Sequence, residues 1–481
     1  MDVAVREQAG MPLLARRMAG RWQLRIDSVL FTASFLVLLL LFAVVGGALL
    51  YRSTLHYQIN YNEGWNSYFV ARVLDGLALY PERSTQLINN YPPLSFYIVA
   101  AVAKLTGSVL GAGRAVAWAS YLGCAGLIGL VLRRLGANWA GAGLGALFFA
   151  TAIAVRCDLY VGMFDPHFTG LMLMLAGLLV LLRGGTAATV LAAALMAAGG
   201  FVKHSLIGLP ITATLWLALF RPRQLLAWLL AGAAFVAAGL AACVAAYGPE
   251  FAAGLGVPRH VDIANGVRKV LKWVAPLQLP GAVAVLPVLL GGAEAALVGI
   301  YLVVALGTAV IGAAPQSTNY NMIFEVLAAI SLGLGLAAGR FAPRIPSGWV
   351  ALAAAASLVL AAAELGTAQT TSWRAWSAEQ QRREALAVRT IAAIRSAPGP
   401  ALCGTLLYCF AAGKPFAYDP LNYGTAPGED QSGLRADIAR GHFGVIQLDY
   451  DNMYFTAATR DAVARAYVPV SETLGVFVPL R

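Results

Sequence analysis

Apolar runs of about twenty residues recur along this chain, separated by short polar breaks. That length carries a helix across a hydrocarbon core of ~30 Å. The runs predict about eleven transmembrane helices, near 28–50, 113–132, 138–155, 166–182, 186–202, 205–220, 224–246, 277–291, 294–312, 320–339 and 347–366. Several are short, notably the pair flanking Lys203. The first follows a basic stretch and has no small-residue cleavage site, so it reads as a retained anchor. Between the first two spans lies a long loop, 51–112. There Trp65, Phe69, Leu74 and Leu77 repeat at helical spacing beside Asn66, Arg72 and Asp75, predicting a helix in the membrane interface. PPLSFYIVAAVAKL is too short to cross comfortably and predicts a second interfacial helix, started by Pro92 and Pro93.

Past residue 371 the pattern changes. Residues 374–396 alternate charges with Ala, Leu and Ile, giving an amphipathic linker helix. LCGTLLYCFAAGKP reads as a strand and short helix, FGVIQLD as a compact strand, and VFVPL as a last strand. The expected fold class is therefore a polytopic α-helical membrane protein with a small C-terminal α/β domain. Its parts are a basic N-terminus (1–27), a membrane domain (28–371) with outer loops 51–112 and 248–276, and the α/β domain (372–481).

Charge sets the orientation. Arg6, Arg16, Arg17, Arg21 and Arg25 precede the first span. Every second loop then carries arginine: Arg133 and Arg134, Arg183, Arg221 and Arg223, Arg340 and Arg344. Only the loop near Glu294 breaks the alternation. Basic loops stay cytoplasmic, so the N-terminus is expected inside and the C-terminal domain outside, on the periplasmic face of a bacterial inner membrane. Composition agrees, with 59% of 481 residues hydrophobic and 12% charged, about half the charge of a soluble domain. The net charge of +11 lies mainly before residue 372, in short loops. That excludes a soluble enzyme and points to orientation in membrane lipids, not to nucleic-acid binding. The five cysteines show no metal-ligand spacing. Cys403 and Cys409 are both expected outside, but six residues of separation suit few disulfide geometries, so free thiols are the favoured expectation.

This topology gathers the polar residues on the outer face. Glu63, in NYNEGWN, sits among aromatics and amides at the membrane boundary, where a carboxylate can act as a base; a solvated or dipole-favoured acid is the plain alternative. Asp158 follows Arg156 in the second outer loop, as a local ion pair or a site acid. Asp165 before Pro166 reads as a helix N-cap, placing His167 in the first turn. Lys203, in GGFVKHSLIG, defies the positive-inside trend, so it either snorkels or binds phosphate. Glu325 lies inside a span after NYNMIF, where acids are functional candidates by default. The outer segment 248–276, with Arg259, His260 and Lys269, is either a headgroup binder or a lid over an anion. There is no convincing glycine-rich nucleotide loop.

These motifs, in this order, resemble the bacterial GT-C-fold glycosyltransferases, the group that includes aminoarabinose transferases of lipid A and protein O-mannosyltransferases. The matching residues are Glu63 in YNEGWN, YPPL at 91–94, Asp158, the lysine of FVKHSLIG, NYNMIFE at 319–325, and AGKPFAYDPLNYG with GHFGVIQLD in the tail. One departure is that the family often carries an aspartate or an Asp-Glu pair where Asn62 and Glu63 stand here. The resemblance implies inverting transfer from a polyprenyl-phosphate-linked sugar to a hydroxyl of a glycan, lipid (lipid A included) or protein. In that scheme Glu63 and Asp158 are catalytic. Lys203, Arg259, His260 and Lys269 hold the donor phosphate. Tyr61, Asn62, Tyr91, Asp165, His167, Asn319, Tyr320 and Glu325 bind acceptor or support the site. No cofactor is required by the sequence, and a divalent cation, Mg or Mn, is left open. The competing class is a transporter or flippase of a lipid-linked sugar, which would need a midplane site. The tail either binds acceptor or caps the membrane domain.

Overall fold

A computed structural model describes residues 13–82, 85–316, 318–368, 372–424, 426, 428–448 and 454–480. Arg6 and the rest of 1–12 lie outside the described residues, as does Asp449 at the end of FGVIQLD; the side chains of Arg16, Arg17 and Arg21 do as well.

Helices stand where the apolar runs place them. Among the described residues, eight are long and apolar enough to cross a membrane: Trp22–Ser53, Val109–Arg134, Trp139–Arg156, Pro222–Tyr247, Ile263–Leu290, Ala293–Ala313, Tyr320–Gly339 and Ser347–Glu364. The other three expected spans, His167–Leu181, Thr186–Val202 and Gly208–Phe220, are shorter. At 1.5 Å per residue they rise only about 20–26 Å, less than the hydrocarbon core of ~30 Å. The first outer loop forms the two expected helices, Tyr61–Leu74 and Leu94–Thr106. The fold is thus that of a polytopic membrane protein.

Segment 248–276 differs from the open basic loop expected. It folds into helices Pro249–Leu255 and Ile263–Val274, the second running through a tight turn into Gln278–Leu290. Asp262 caps it, accepting from the Asn265 amide at 3.1 Å, while Val270 and Trp273 are buried. Amphipathic periodicity, hidden among the basic residues, outweighs the charge.

Small residues let helices approach closely. Gly141 and Gly145, four apart, press on the helix Phe324–Gly339. A Cβ added at Gly141 would stand 2.4 Å from the Gly335 carbonyl oxygen, and one at Gly145 2.7 Å from that of Ser331. In lipid such close packing substitutes for the hydrophobic drive absent between helices. Arg340 reaches the loop near Glu294, pairing with that acid at 3.3 Å and donating to the Leu135 carbonyl at 2.8 Å.

The C-terminal domain opens with the helix Trp373–Ser396, followed by strands β1 (Ala401–Cys403), β2 (Val445–Gln447), β3 (Tyr467–Pro469) and β4 (Val476–Pro479). The sheet order is β1-β2-β4-β3, with β1 parallel to β2 and the remaining pairs antiparallel. Cys403 and Cys409 form a disulfide, contrary to the favoured expectation. The chain leaves β1 and turns at once into the helix Leu406–Ala411, bringing the two Cα atoms to 5.9 Å, inside bonding range.

That disulfide-bearing unit sits directly on the first outer loop. Trp65, Phe69 and Phe96 share one apolar core with Cys403, Leu406 and Tyr408, and Leu407 N donates to Gln58 Oε1 at 3.0 Å. A Cβ at Gly64 would lie 2.1 Å from the Leu407 nitrogen. Gly64→Val is therefore expected to cost about 1–3 kcal/mol by overpacking. It should appear as a lower melting temperature in detergent and faster proteolysis beyond residue 372.

Candidate active site

A cavity of about 270 Å³ opens where the first-loop helix meets the Lys203 turn, the stretches around Arg259 and Asn319, and residues 421–422 of the C-terminal domain. Two cations face it, Lys203 and Arg259. Amides line much of the remainder: Asn62, Asn90, Asn319, Asn321 and Asn422. Tyr61, Trp65, Tyr91 and Tyr160 supply aromatic surface.

The first turn of the helix Tyr61–Leu74 organises one wall. Asn60 caps it, and three successive side chains then meet three different charged groups. The Tyr61 hydroxyl donates to Asp419 Oδ1 at 2.7 Å, helped by Trp65 Nε1 to Oδ2 at 3.3 Å. Asn62 Nδ2 donates to Asp165 Oδ2 at 2.8 Å. Glu63 turns inward to Arg114. The first two side chains line the cavity, and their carboxylates lie immediately behind them. Burial raises the Asp419 carboxyl above its usual range, against the pull of its hydrogen-bond donors.

Glu63 is fully enclosed, and its carboxylate does not reach the cavity. Arg114 Nε and Nη2 clasp it at 2.7 and 2.8 Å. The amides of Ile59 and Phe164 complete its shell at 2.7 and 3.2 Å. Arg114 spends its remaining donors on the carbonyls of Ser53, Leu55 and Tyr57. The pair knits the end of the first span to the loop before His167. Asp158, the other acid expected to be catalytic, is half-exposed, pairs with Arg52 at 3.5 Å, and does not line the cavity either.

Lys203 ends the short helix Thr186–Val202 and is buried, with its ammonium 3.5 Å over the Tyr91 ring. Among the described residues no group accepts a hydrogen bond from it. Burial pushes its pKa down to about 8, against the attraction of Asp165 and with the repulsion of Arg259. Arg259 Nη2 donates to Asn422 Oδ1 at 2.7 Å, and Asn90 Nδ2 reaches the same oxygen at 3.1 Å. Asn422 is held in turn by Asp419, its own Nδ2 donating to Oδ2 at 2.9 Å. One C-terminal side chain thus ties Arg259 to the first outer loop.

Other expected site residues take supporting places. The Lys269 ammonium binds loop carbonyls, those of Pro315 and Gln316 at 3.0 and 2.9 Å, and so pins the loop before Asn319. His260 is exposed and apart from the cavity lining. Glu325 accepts from the amides of Gly208 and Leu209 at 3.2 and 2.9 Å, capping a short helix, a favourable place for an anion. His167 lies behind Asn321, 3.3 Å from its amide, and Tyr320 packs on Trp273. Asn319 does line the cavity, and its side chain accepts from Tyr320 N. Sequence reading missed Arg114, although an arginine inside an apolar run signals a buried partner. It also passed over Asp419 and Asn422, which lay in the DPLNYG stretch of the tail. Among the described residues no group of three or more His, Cys, Asp or Glu side chains could hold a metal ion.

Two solved structures of ArnT from Cupriavidus metallidurans superpose on this chain. The apo form matches with a TM-score of 0.61 at 13% identity, covering 92% of this chain and 97% of that one. The form bound to undecaprenyl phosphate matches at 0.59 and 14%, with the same coverage. The chain shares their fold. At these identities the likeness is one of architecture, and it extends through both the membrane and the C-terminal domains. No family model and no curated protein matches the sequence.

Proposed function

We propose that this protein is an inverting glycosyltransferase. It moves a sugar from a polyprenyl-phosphate donor to a hydroxyl of a glycan, lipid or protein, at the periplasmic face of a bacterial inner membrane. The observation that carries the reading is the Lys203 ammonium, buried, without a hydrogen-bond acceptor among the described residues, and aimed beside Arg259 into a cavity. It does so in a fold whose ArnT relative binds undecaprenyl phosphate. The helices on either side of Lys203 are shorter than the hydrocarbon core, which supports a site near the membrane boundary, where a lipid chain would meet its phosphate.

Asp165 takes the base role that the sequence reading gave to Glu63. Asp165 stands directly behind the cavity wall, where Asn62 Nδ2 donates to its Oδ2 at 2.8 Å, and an acceptor hydroxyl reaches that oxygen once the Asn62 side chain swings aside. The hydroxyl gives its proton to Asp165 as its oxygen bonds to the anomeric carbon. The carbon–oxygen bond to phosphate breaks, and its electron pair leaves with the polyprenyl phosphate. Lys203 and Arg259 hold that departing anion, the kind of charge stabilisation worth about 10²–10³-fold per donor. Attack opposite the leaving group inverts the anomeric centre. Lys203 and Tyr61 stand at helix ends, an arrangement that favours transfer at a membrane face over the midplane site expected of a transporter. The disulfide supports an oxidising compartment for the C-terminal domain, and the arginine loops support a cytoplasmic opposite face.

Undecaprenyl phosphate binding in nanodiscs tests the reading. Lys203→Met is expected to weaken it at least about tenfold, a loss of ~1.4 kcal/mol or more. The phosphomonoester ionises fully above a pKa of about 6, whereas Lys203 loses its proton as pH rises through about 8. Wild-type binding should therefore weaken between pH 7.5 and 9.5, and Lys203→Arg should flatten the profile. Unchanged affinity in the Met variant would remove Lys203 from the donor site.

A further inference from the structure

We infer that the transferred sugar is neutral, carrying hydroxyls and no free amine; this rests on the reading of the cavity as a lipid-phosphate-sugar site. Apart from apolar residues, the surface presented to a ligand consists of cations, amides, hydroxyls, aromatic rings and the His204 imidazole, and among the described residues it holds no carboxylate. Beyond the two cations that face the phosphate, the polar atoms left over suit hydroxyl groups. Among the described residues, Asn62 Oδ1 and Asn90 Oδ1 are uncommitted acceptors. Asn319 Nδ2 is an uncommitted donor, its own Oδ1 being used by Tyr320 N at 2.8 Å. Ser205 Oγ, on the same wall, is buried with no partner. A sugar hydroxyl both donates and accepts, so one ring can meet acceptors, donor and serine together.

An ammonium has the opposite character. It only donates, and it would share the cavity with Lys203 and Arg259. No carboxylate of the described residues lines the cavity to offset it. The two nearest acids are already engaged. Asp165 accepts from Asn62 Nδ2 and from the His167 amide at 2.8 Å, and the acceptor hydroxyl must reach its Oδ2. Asp419 accepts from Tyr61, Trp65, Leu421 and Asn422. A charged amine would go unpaired at the cost attached to any desolvated, uncompensated charge.

The test uses matched donors that differ in one group: undecaprenyl-phosphate-linked arabinose against 4-amino-4-deoxyarabinose, and the glucose donor against glucosamine. Each competes with labelled undecaprenyl phosphate on the full chain in nanodiscs. In at least one pair the neutral donor should bind about tenfold tighter or more. Asn319→Asp keeps the bond from Tyr320 N and puts a carboxylate oxygen where the free amide nitrogen was, so it should bring that ratio close to one or reverse it. Amino donors that bind as tightly as their neutral partners in both pairs, with undecaprenyl phosphate still bound, overturn the inference and leave the donor reading standing. Failure of undecaprenyl phosphate to bind at all overturns the donor reading and takes this inference with it. The wild-type ratio decides the matter even where the variant is unstable.

Discussion

Asp165→Asn is expected to slow sugar transfer by about 10²–10⁴-fold, the usual worth of a positioned general base, while undecaprenyl phosphate binding stays within about twofold. The substitution keeps the size of the side chain and one carbonyl oxygen for the His167 amide. It removes the atom that can take a proton. Loss of transfer together with retained binding separates the base from the phosphate ligands, because Lys203→Met should lose binding first. Equal transfer by the variant and wild type would exclude Asp165, and the next candidate would be Asp419, acting through the Tyr61 hydroxyl it receives at 2.7 Å.

Glu63→Gln should behave in the contrary way, with the protein itself failing. Glu63 neutralises an arginine that is buried on every side, and breaking one half of such a pair typically costs about 3–5 kcal/mol because the other charge is stranded. Low yield, aggregation in detergent and a clearly depressed melting temperature are expected. Any surviving folded fraction should transfer sugar at a rate far above that of Asp165→Asn. Replacing both partners, Glu63→Gln with Arg114→Met, should recover part of the stability by removing the stranded charge. A folded, normally stable Glu63→Gln protein devoid of transfer would instead return the base role to Glu63.

The membrane part of the fold was legible because lipid admits few solutions: each long apolar run had to be a helix, and each became one. The short spans around Lys203 were visible as well, and the structure keeps them short. Within the site, Tyr61, Asn62, Tyr91, Lys203, Arg259 and Asn319 were named from the sequence and do line one cavity. The pairing of Glu63 could not be read because its partner, Arg114, lies 51 residues away on another helix; local context among aromatics and amides looks the same for a base and for half of an ion pair. Lys269 was misread for a related reason, since loop carbonyls are invisible as ligands until the loop is folded. Asp419 and Asn422 belong to a segment that looks like an ordinary turn, and only the docking of the C-terminal domain shows where it points.

That docking also sets when the protein becomes competent. The chain emerges from its N-terminus, and Tyr61, Lys203 and Arg259 are in the membrane long before residue 422 of 481 is made. Until then Arg259 lacks the amide that tethers it and the cavity lacks a wall. A nascent or truncated polypeptide, although already inserted, would present an open and unfinished vessel. Competence therefore arrives in one late step, when the C-terminal domain has seated, and quality control of the whole molecule reduces to whether that domain has found its place.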